Sequence, residues 1–345
     1  MSYTVTLEPS GHQFQVEHHE SVLEAGLRHG FAMPYGCRNG ACGSCAATLK
    51  SGTVRYPGGR PPALTEEDEA RGKALLCSAL AEGDLVVEVR EIGAARDIEV
   101  KVLPARVAAL ERLAGDVMRL KLKLPATERL QFLAGQYVDI ILRDGRRRGF
   151  SLANAPHDDE FLELHVRHVP GGRFTDHVFN EMKERTILRF EGPLGAFFLR
   201  EDNVRPVILM GGGTGFAPLK SIVEHALYVE DPRQFTIYWG VRSRCDLYLD
   251  ALARSWARKH SKIGYVPVLS EPRAEDSWDG RTGFVHEAVC ADHSDLAGYD
   301  VYMSGPPAMI NAAREAFTAQ GLPEARLYYD SFEYSSDTLR AIGQG

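Results

Sequence analysis

Four cysteines near the start of the chain constrain its fold more than any other feature. Cys37, Cys42 and Cys45 share a C-x4-C-x2-C spacing in one loop, and Cys77 follows after 31 intervening residues. Three thiols so close together require the backbone to wrap tightly around whatever they hold. The residues between them are small and let backbone N–H groups approach the sulfur atoms: Gly36, Gly40, Ala41, Gly43 and Ser44.

This spacing is that of a plant-type [2Fe–2S] cluster, in which four thiolates ligate two irons. The alternatives are a zinc site and a set of buried, inert thiols. Zinc knuckles usually pair two short C-x2-C hooks, whereas here one loop carries three ligands, and inert cysteines would not crowd into a Gly-rich loop. We therefore predict a [2Fe–2S] cluster on Cys37, Cys42, Cys45 and Cys77. Cys245 and Cys290 stand alone and are predicted to be packing thiols.

Size and charge narrow the class of protein. A chain of 345 residues predicts two or three domains. Its net charge of −7 argues against nucleic acid or an anionic membrane as a partner. We find no apolar run of the roughly 18 residues that a membrane span needs, and no signal peptide. Six cysteines in a chain of this length fit reduced thiols, so we expect a cytoplasmic protein.

The first 90 residues predict an α+β domain. Alternating runs at 3–9 and 12–18 predict a hairpin. Ser21 and Glu24 form a capping box, which predicts a helix that ends at Gly30. Another hairpin is expected at 48–56, a strand at 84–90 and a linker at 91–100.

The rest of the chain shows two further patterns. Between 102 and 199, alternating strands with Gly and Pro turns predict a small antiparallel barrel, interrupted by one helix at 175–184. The predicted barrel strands include 119–125, 136–145, 161–169 and 186–195. From 204, strands alternate with helices, which predicts a parallel sheet with covering helices. The expected pairs are 206–210 with 217–229, 235–241 with 246–260, and 300–305 with 306–320.

A flavin-binding pattern lies in the predicted barrel. Arg148-x-x-Ser151 ends one strand, and Gly171-Gly172 later leads into the helix. A flavin dinucleotide needs a cation for its pyrophosphate, a flat surface for its ring and a hydrogen-bond partner at N5. The helix start at Gly172, Arg173 and Thr175 could also face a phosphate. An Arg–Ser pair alone carries little information, so its weight comes from its place in the order of motifs.

A glycine-rich turn opens the α/β segment. Gly211, Gly212, Gly213 and Gly215 follow an apolar strand and precede a helix, which suits the close approach of a pyrophosphate. The turn departs from G-x-G-x-x-G because position 216 is Phe. Ser304-Gly305-Pro306 forms a similar strand end, and open α/β sheets bind ligands where two such turns meet.

In this order of motifs the chain resembles the ferredoxin–NADP reductase superfamily, and within it the three-part members with an N-terminal plant-type ferredoxin domain. Those members include reductase components of bacterial aromatic-ring oxygenases and multicomponent hydroxylases, and the reductase of CDP-6-deoxy-3,4-glucoseen. The resemblance implies a β-grasp ferredoxin head at 1–92, an FAD-binding antiparallel β-barrel at 101–201 and an NAD(P)-binding α/β domain at 204–335. It covers essentially the whole chain.

The resemblance also implies roles for individual residues. Arg148 resembles the pyrophosphate arginine, Phe150 replaces the usual ring-stacking Tyr, and Ser151 resembles the serine that bonds N5. Ser304 replaces the usual Cys of the C-G-x-P element near the nicotinamide, which bears on the rate of hydride transfer, and Phe332 resembles the C-terminal group near the flavin. The remaining residues implied in cofactor binding are Gly149, His165, Val166, Arg167, Gly172, Arg173, Phe174, Thr175, Gly211, Gly212, Gly213, Thr214, Gly215, Pro218, Gly305 and Pro306.

These parts predict an oxidoreductase that passes electrons from NAD(P)H through FAD and the cluster to a protein acceptor. Arg242 and Arg244 follow the second strand of the α/β domain, where they could bind the 2′-phosphate of NADPH or stand as solvated surface; we expect NADH. The acceptor is expected to be an oxygenase or hydroxylase component, with a sugar-nucleotide dehydratase as the alternative. A free-flavin reductase and a redox sensor without turnover are rival interpretations.

Overall fold

A computed structural model describes residues 2–89, 91 and 98–333. The chain divides into two compact units, Met1–Glu99 and Val100–Gly345. Most of the predicted linker at 91–100, namely residues 92–97, lies outside the described residues, as do Arg90 and residues 334–335.

The first unit is a five-stranded mixed sheet with two short helices and a separate two-stranded sheet. Its elements are β1 (Ser2–Glu8), β2 (Gln13–Glu17), α1 (Val22–Arg28), β3 (Ala46–Ser51), β4 (Val54–Arg55), α2 (Glu66–Ala70), β5 (Lys73–Leu75), β6 (Leu80–Ala81) and β7 (Leu85–Glu88). The sheet order is β2-β1-β7-β3-β5, in which β1 and β7 are parallel and the other pairs antiparallel.

Short sequence patterns predict two features of this unit, the helix α1 and the hairpin of β1 with β2. The Ser21 hydroxyl accepts from the Glu24 N–H at 3.2 Å, and the Glu24 carboxylate accepts from the Ser21 N–H at 3.0 Å, so the predicted capping box is confirmed. The chain leaves α1 through Gly30, whose φ of +81° suits glycine. The first predicted hairpin is also confirmed, because β1 pairs antiparallel with β2.

The second predicted hairpin, at 48–56, is wrong. Strand β3 pairs with β5 and β7, whereas β4 pairs with β6 in the two-stranded sheet. Gly52 turns the chain at φ +89°, where a Cβ would lie 2.4 Å from the Asp84 carbonyl oxygen. The turn therefore packs against the start of β7, and the chain leaves the main sheet rather than folding back along β3.

The second unit begins with the predicted antiparallel barrel. The elements are β8 (Lys101–Ala114), β9 (Val117–Lys123), β10 (Tyr137–Ile141), β11 (Arg147–Ser151), β12 (Leu162–Arg167), α3 (Arg173–Asn180) and β13 (Ile187–Leu194). The strand order is β11-β10-β13-β8-β9-β12, and a bridge between Leu152 and Leu164 closes the ring. The helix α3 begins two residues earlier than predicted, because Gly172 caps its start in an extended conformation, and it ends at Asn180.

The rest of this unit is the predicted parallel sheet, with helices on both faces. The elements are β14 (Val207–Gly212), α4 (Phe216–Tyr228), β15 (Phe235–Val241), α5 (Asp250–Lys259), β16 (Ile263–Leu269), β17 (Arg281–Thr282), α6 (Val285–Asp292), β18 (Asp300–Gly305), α7 (Pro307–Ala319) and β19 (Leu327–Ser331). The six strands run in the order β17-β16-β15-β14-β18-β19, and every pair is parallel. The chain moves outward from β14 to β17 and then returns beside β14, so the order reverses between β14 and β18.

Candidate active site

The four predicted cluster cysteines lie in two pairs. Backbone N–H groups of Cys37 and Cys42 each point at the other's sulfur, at 3.4 and 3.3 Å. Cys45 and Cys77 form a second pair joined by a thiol hydrogen bond. Hydrogen bonding within each pair lowers the pKa of Cys42 to about 5 and that of Cys77 to about 7, and raises the pKa of both partners.

The loop around these cysteines supplies the close backbone approach that the sequence predicts. The Gly40 N–H donates to Cys77, and a Cβ on Gly36 would lie 3.2 Å from Cys42 Sγ. Gly40 and Gly43 both have φ near +80°, at +79° and +77°. Small residues at these positions let the loop fold around the sulfur atoms.

The paired arrangement matches the ligand set of a [2Fe–2S] cluster, which places two thiolates at each of two irons. The four cysteines therefore fit the cluster.

The predicted flavin strand ends at a buried serine. Ser151 is the last residue of β11, and its hydroxyl donates to the Asp330 carboxylate at 3.4 Å. Phe150 packs on Phe174, with ring centroids 5.2 Å apart. Arg148 and Gly149 precede them on the same strand, and a Cβ on Gly149 would meet the Tyr137 ring at 3.6 Å.

Sequence reasoning missed Asp330. It lies on β19, opposite Ser304 of β18, and two residues before Phe332. The signal was its place in the segment "YDSFEY", since a carboxylate at the end of a strand can reach a neighbouring hydroxyl. Asp330 therefore brings Ser151 and Ser304 to one place, and the Phe332 N–H donates to the Gly305 carbonyl at 2.9 Å.

The start of α3 is held by its own residues. The Thr175 hydroxyl donates to the Val169 carbonyl at 3.0 Å and accepts from the Val169 N–H at 3.1 Å. A Cβ on Gly172 would lie 2.8 Å from the same hydroxyl, so glycine allows this tight turn. Arg173 pairs with Asp144 at 2.8 Å. Phosphate binding at this helix start stays a prediction.

The three residues predicted on β12 do not share one face. Val166 lies in the barrel core, whereas His165 and Arg167 point to the other side, toward the parallel sheet. A Cβ on Gly213 would lie 2.9 Å from Arg167 Nη1. Within the described residues, Arg167 Nη2 is buried without a hydrogen-bond partner. His165 and Arg167 thus face the nucleotide turn, and their contact with flavin stays a prediction.

The nucleotide turn is too tight for side chains. After β14 the chain forms a 3-10 turn over Gly213–Gly215, with Thr214 at its centre and Pro218 in the first turn of α4. A Cβ on Gly215 would lie 2.0 Å from the Ser304 carbonyl oxygen. Gly211 and Gly212 are similarly enclosed, with Cβ contacts of 2.9 Å to Leu219 and 2.6 Å to Met309.

The second turn meets the first one. Gly305 has φ +145°, and a Cβ there would lie 3.0 Å from the Gly212 N. Pro306 then caps α7. Ser304 is fully buried, and its hydroxyl has no hydrogen-bond partner in the described part of the structure. An unpaired buried hydroxyl at the reversal point of an open α/β sheet fits a site built for a polar ligand.

The two arginines after β15 differ in their contacts. Both residues are exposed, and Arg244 donates to the Asp276 carbonyl at 2.9 Å. Both follow a strand parallel to β14, so they lie at the same edge of the sheet as the glycine turn. Their role in coenzyme choice stays a prediction.

Three known families match successive parts of the chain: a 2Fe-2S iron-sulfur cluster binding domain at 5–82, an oxidoreductase FAD-binding domain at 104–199 and an oxidoreductase NAD-binding domain at 209–315. The CDP-6-deoxy-L-threo-D-glycero-4-hexulose-3-dehydrase reductase of Yersinia pestis is 43% identical over 96% of this chain and 99% of its own.

The chain belongs to the [2Fe–2S] ferredoxin reductase family. Its cofactors are accordingly a [2Fe–2S] cluster, FAD and NAD(P)H, and it is an oxidoreductase. Both predictions are confirmed, as is the three-part fold class.

Two further proteins are similar to this reductase over nearly its whole length. The reductase component DmpP of phenol 2-monooxygenase from Pseudomonas sp. strain CF600 is 35% identical, with 98% of this chain and 96% of that one covered. The crystal structure of the Amycolatopsis cytochrome P450 reductase GcoB is 35% identical and superposes with a TM-score of 0.79 over 96% of this chain and 98% of that one. None of the described helices is both long and apolar enough to span a bilayer.

Proposed function

We propose that this reductase takes a hydride from NADH and delivers single electrons to a separate protein. The observation that carries the proposal is the meeting of Ser151, Asp330 and Ser304 where the barrel adjoins the two glycine turns. NADH gives two electrons at once and a [2Fe–2S] cluster accepts one. Bound FAD supplies the chemistry that connects these two steps, because it is stable at zero, one or two electrons.

The chain's own residues bind and orient the reactants in this proposal. With FAD bound, the Ser151 hydroxyl would hold flavin N5, Arg148 would neutralise the flavin pyrophosphate, and Phe150 would stack on the ring. The turn Gly211–Gly215 receives the pyrophosphate of NADH at the start of α4. Ser304 and Phe332 flank the nicotinamide.

Anaerobic titration with NADH tests this route. Excess NADH should bleach the visible absorbance of both flavin and cluster, followed by reduction of cytochrome c. Flavin bleaching with an unreduced cluster would contradict the relay. Bleaching of both without electron delivery to any protein would support a sensor instead.

Two classes of acceptor are candidates. The 43% identity to a CDP-hexulose dehydrase reductase, over nearly both full lengths, favours a sugar-nucleotide dehydrase. Relatives named as reductase components of phenol 2-monooxygenase and terephthalate 1,2-dioxygenase, at 35% and 33% identity, favour an oxygenase or hydroxylase component. NADH consumption with one purified acceptor of each class, measured as coupled product, decides between them. The reduced thiols of this reductase suit a cytoplasmic setting.

Coenzyme preference belongs to the same proposal. Arg244 donates to the Asp276 carbonyl, and the Asp246 carboxylate accepts from the Ser243 N–H at 3.1 Å. Residues of this turn therefore already have hydrogen-bond partners within the protein. We propose NADH as the preferred donor. A kcat/KM for NADPH above that for NADH would contradict this proposal. If Arg242→Ala then lost the preference for NADPH, Arg242 would be identified as the residue that binds the 2′-phosphate.

A further inference from the structure

A buried series of hydrogen bonds and one aromatic ring contact connects the flavin barrel with the nucleotide turn. It begins at His165 on β12, whose side chain is fully enclosed. His165 Nε2 lies 2.8 Å from Glu163 Oε1, and His165 Nδ1 lies 3.1 Å from the Tyr248 hydroxyl. Tyr248 belongs to the segment before α5, 83 residues away in sequence.

The direction of each hydrogen bond follows from the chemistry of its partners. Burial lowers the pKa of His165, so the ring is neutral at pH 7 and carries one proton. Burial opposes ionisation of Glu163, but the His165 hydrogen bond and the Lys220 charge lower its pKa to about 2. An ionised carboxylate only accepts, so His165 Nε2–H donates to Glu163 and Nδ1 accepts from the Tyr248 hydroxyl.

From Tyr248 the contact continues to the glycine turn through Trp239. The Tyr248 ring packs edge-on against Trp239, with centroids 5.1 Å apart. The Trp239 indole N–H donates to the Gly213 carbonyl at 2.9 Å, and its ring stacks on Phe216 at 4.0 Å. Phe216 is the first residue of α4, directly after the turn. Tyr248 therefore packs against Trp239, the residue whose indole N–H is hydrogen-bonded to the turn.

The other end of the network reaches the strand that carries Ser151. Lys220 on α4 lies 3.5 Å from Glu163 Oε1 and donates to the Ala153 carbonyl at 3.1 Å, two residues after Ser151. Ser221 donates to the Asn154 carbonyl at 2.7 Å. The segment just after the flavin strand and the nucleotide turn are thus connected through one set of buried side chains.

Stability alone does not require such a set. Replacing a buried ion pair by packed apolar residues is often neutral or stabilising. Hydrogen bonds, however, fix direction and distance, whereas apolar contacts allow sliding. Hydride transfer depends steeply on the donor–acceptor geometry, and a misplacement of about 1 Å can cost about 100-fold in rate.

We propose that Tyr248 and His165 are positioning residues for hydride transfer: their hydrogen bond fixes the turn Gly211–Gly215 relative to strand β12. The proposal rests on the proposed function, since it assigns the geometry of that same reaction. Neither residue is required to touch NADH or FAD.

The test is Tyr248→Phe, which removes the hydroxyl and keeps the ring. The matched control is Tyr238→Phe: Tyr238 is a buried neighbour of Trp239 whose hydroxyl donates to Asp292 at 2.9 Å on the opposite face of the sheet. Amide hydrogen exchange is measured in nucleotide-free protein, and flavin reduction by NADH is measured in stopped flow. His165→Gln, which can still donate to Glu163, serves as a second variant.

Tyr248→Phe and His165→Gln should speed exchange in residues 211–216 specifically. Their flavin reduction at saturating NADH should slow about tenfold, while the dissociation constant for NADH changes less than about twofold. Tyr238→Phe should leave both the turn and this rate unchanged. Unchanged exchange at the turn in Tyr248→Phe, or an equal effect of Tyr238→Phe, would overturn the proposal. Failure of electron delivery to a protein acceptor would refute the proposed function but leave the exchange comparison intact.

Discussion

At the residue scale, Ser304 is expected to lower the stability of the ligand-free protein and to serve the reaction with NADH. Its hydroxyl is fully buried and lacks a hydrogen-bond partner within the described structure, beside the turn where the nicotinamide is proposed to bind. Leaving a buried polar group unpaired costs about 1–3 kcal/mol. We infer that the free energy of unfolding of the ligand-free protein is lowered by a group kept for the reaction.

Ser304→Ala should therefore stabilise the nucleotide-free protein by about 1 kcal/mol and slow flavin reduction by NADH. Urea unfolding and stopped-flow absorbance measure the two effects. Ser221→Ala is the matched control, because that buried hydroxyl does donate, to the Asn154 carbonyl at 2.7 Å. The control should be destabilised, and a Ser304→Ala protein less stable than wild type would refute the argument.

How far single residues were predictable depended on sequence distance. Cys37, Cys42, Cys45 and the glycine turn depend on spacing within a few residues, which can be read directly, and the long spacing to Cys77 completes a known ligand pattern. Asp330 meets Ser151 across 179 residues, and Tyr248 meets His165 across 83. No local pattern marks such pairs, since each depends on how the barrel packs against the parallel sheet.

At the element scale, the two glycine turns pack so closely that one methyl group should separate them. In Gly215→Ala the new Cβ would lie 2.0 Å from the Ser304 carbonyl oxygen and 2.5 Å from its carbon. We expect normal flavin content, because the barrel is untouched, with flavin reduction by NADH slowed at least about 100-fold. Absorbance during NADH mixing, with dithionite as a direct reductant, measures this.

Gly298→Ala is the control for this variant, because a Cβ there meets nothing within 4 Å. It should reduce its flavin at the wild-type rate. If Gly215→Ala also kept that rate, the turn would not be the nucleotide site.

The buried network also predicts how stability depends on pH. The folded-state pKa of Glu163 is about 2, below its ordinary value of 4.5, so its contribution is complete above pH 4.5 and is lost as pH falls toward 2. Glu163→Gln should be less stable than wild type at pH 7, and the difference should shrink below pH 4.5.

Urea unfolding at several pH values measures the difference between the two proteins. The exposed Glu184 offers a control, since Glu184→Gln should give no such pH-dependent difference. A constant gap between Glu163→Gln and wild type from pH 7 to pH 3 would contradict the expected linkage.

Elements with strong local signals were predicted well. The capping box gave α1, and strand–helix alternation gave the parallel sheet. Strands β8 and β16 were not singled out, because Pro104 and Pro267 interrupt them, and β19 was not, because its sequence LYYDS shows no alternation of apolar and polar residues. The failed hairpin at 48–56 had plausible turn residues, but its partners lie on β5 to β7, which only the folded sheet specifies.

At the scale of the whole molecule, the cluster and the hydride site belong to different compact units. Loss of the cluster should therefore leave the NADH reaction intact. Cys42→Ser should lose cluster absorbance, retain NADH-dependent ferricyanide reduction and lose electron delivery to a protein acceptor.

The prediction that Cys245 is a packing thiol is wrong, because this residue is exposed. Cys245→Ser is the matched control for Cys42→Ser, because Cys245 belongs to the second unit and is not one of the cluster cysteines. It should keep all three properties. Full activity of Cys42→Ser toward the acceptor would favour the rival interpretation, a reductase that releases free reduced flavin.

The return of β18 beside β14 also bears on the order of events during synthesis. The barrel strands all lie within 101–194, so the ring can close early. One edge of β14 stays unpaired until β18 has been synthesised, because Val207 of β14 pairs with Asp300, 93 residues later. Non-local parallel pairing forms slowly and leaves strand edges open to other chains. Expression at low temperature, or with chaperones that shield open edges, should therefore raise the yield of protein competent to bind NADH more than that of protein competent to bind FAD.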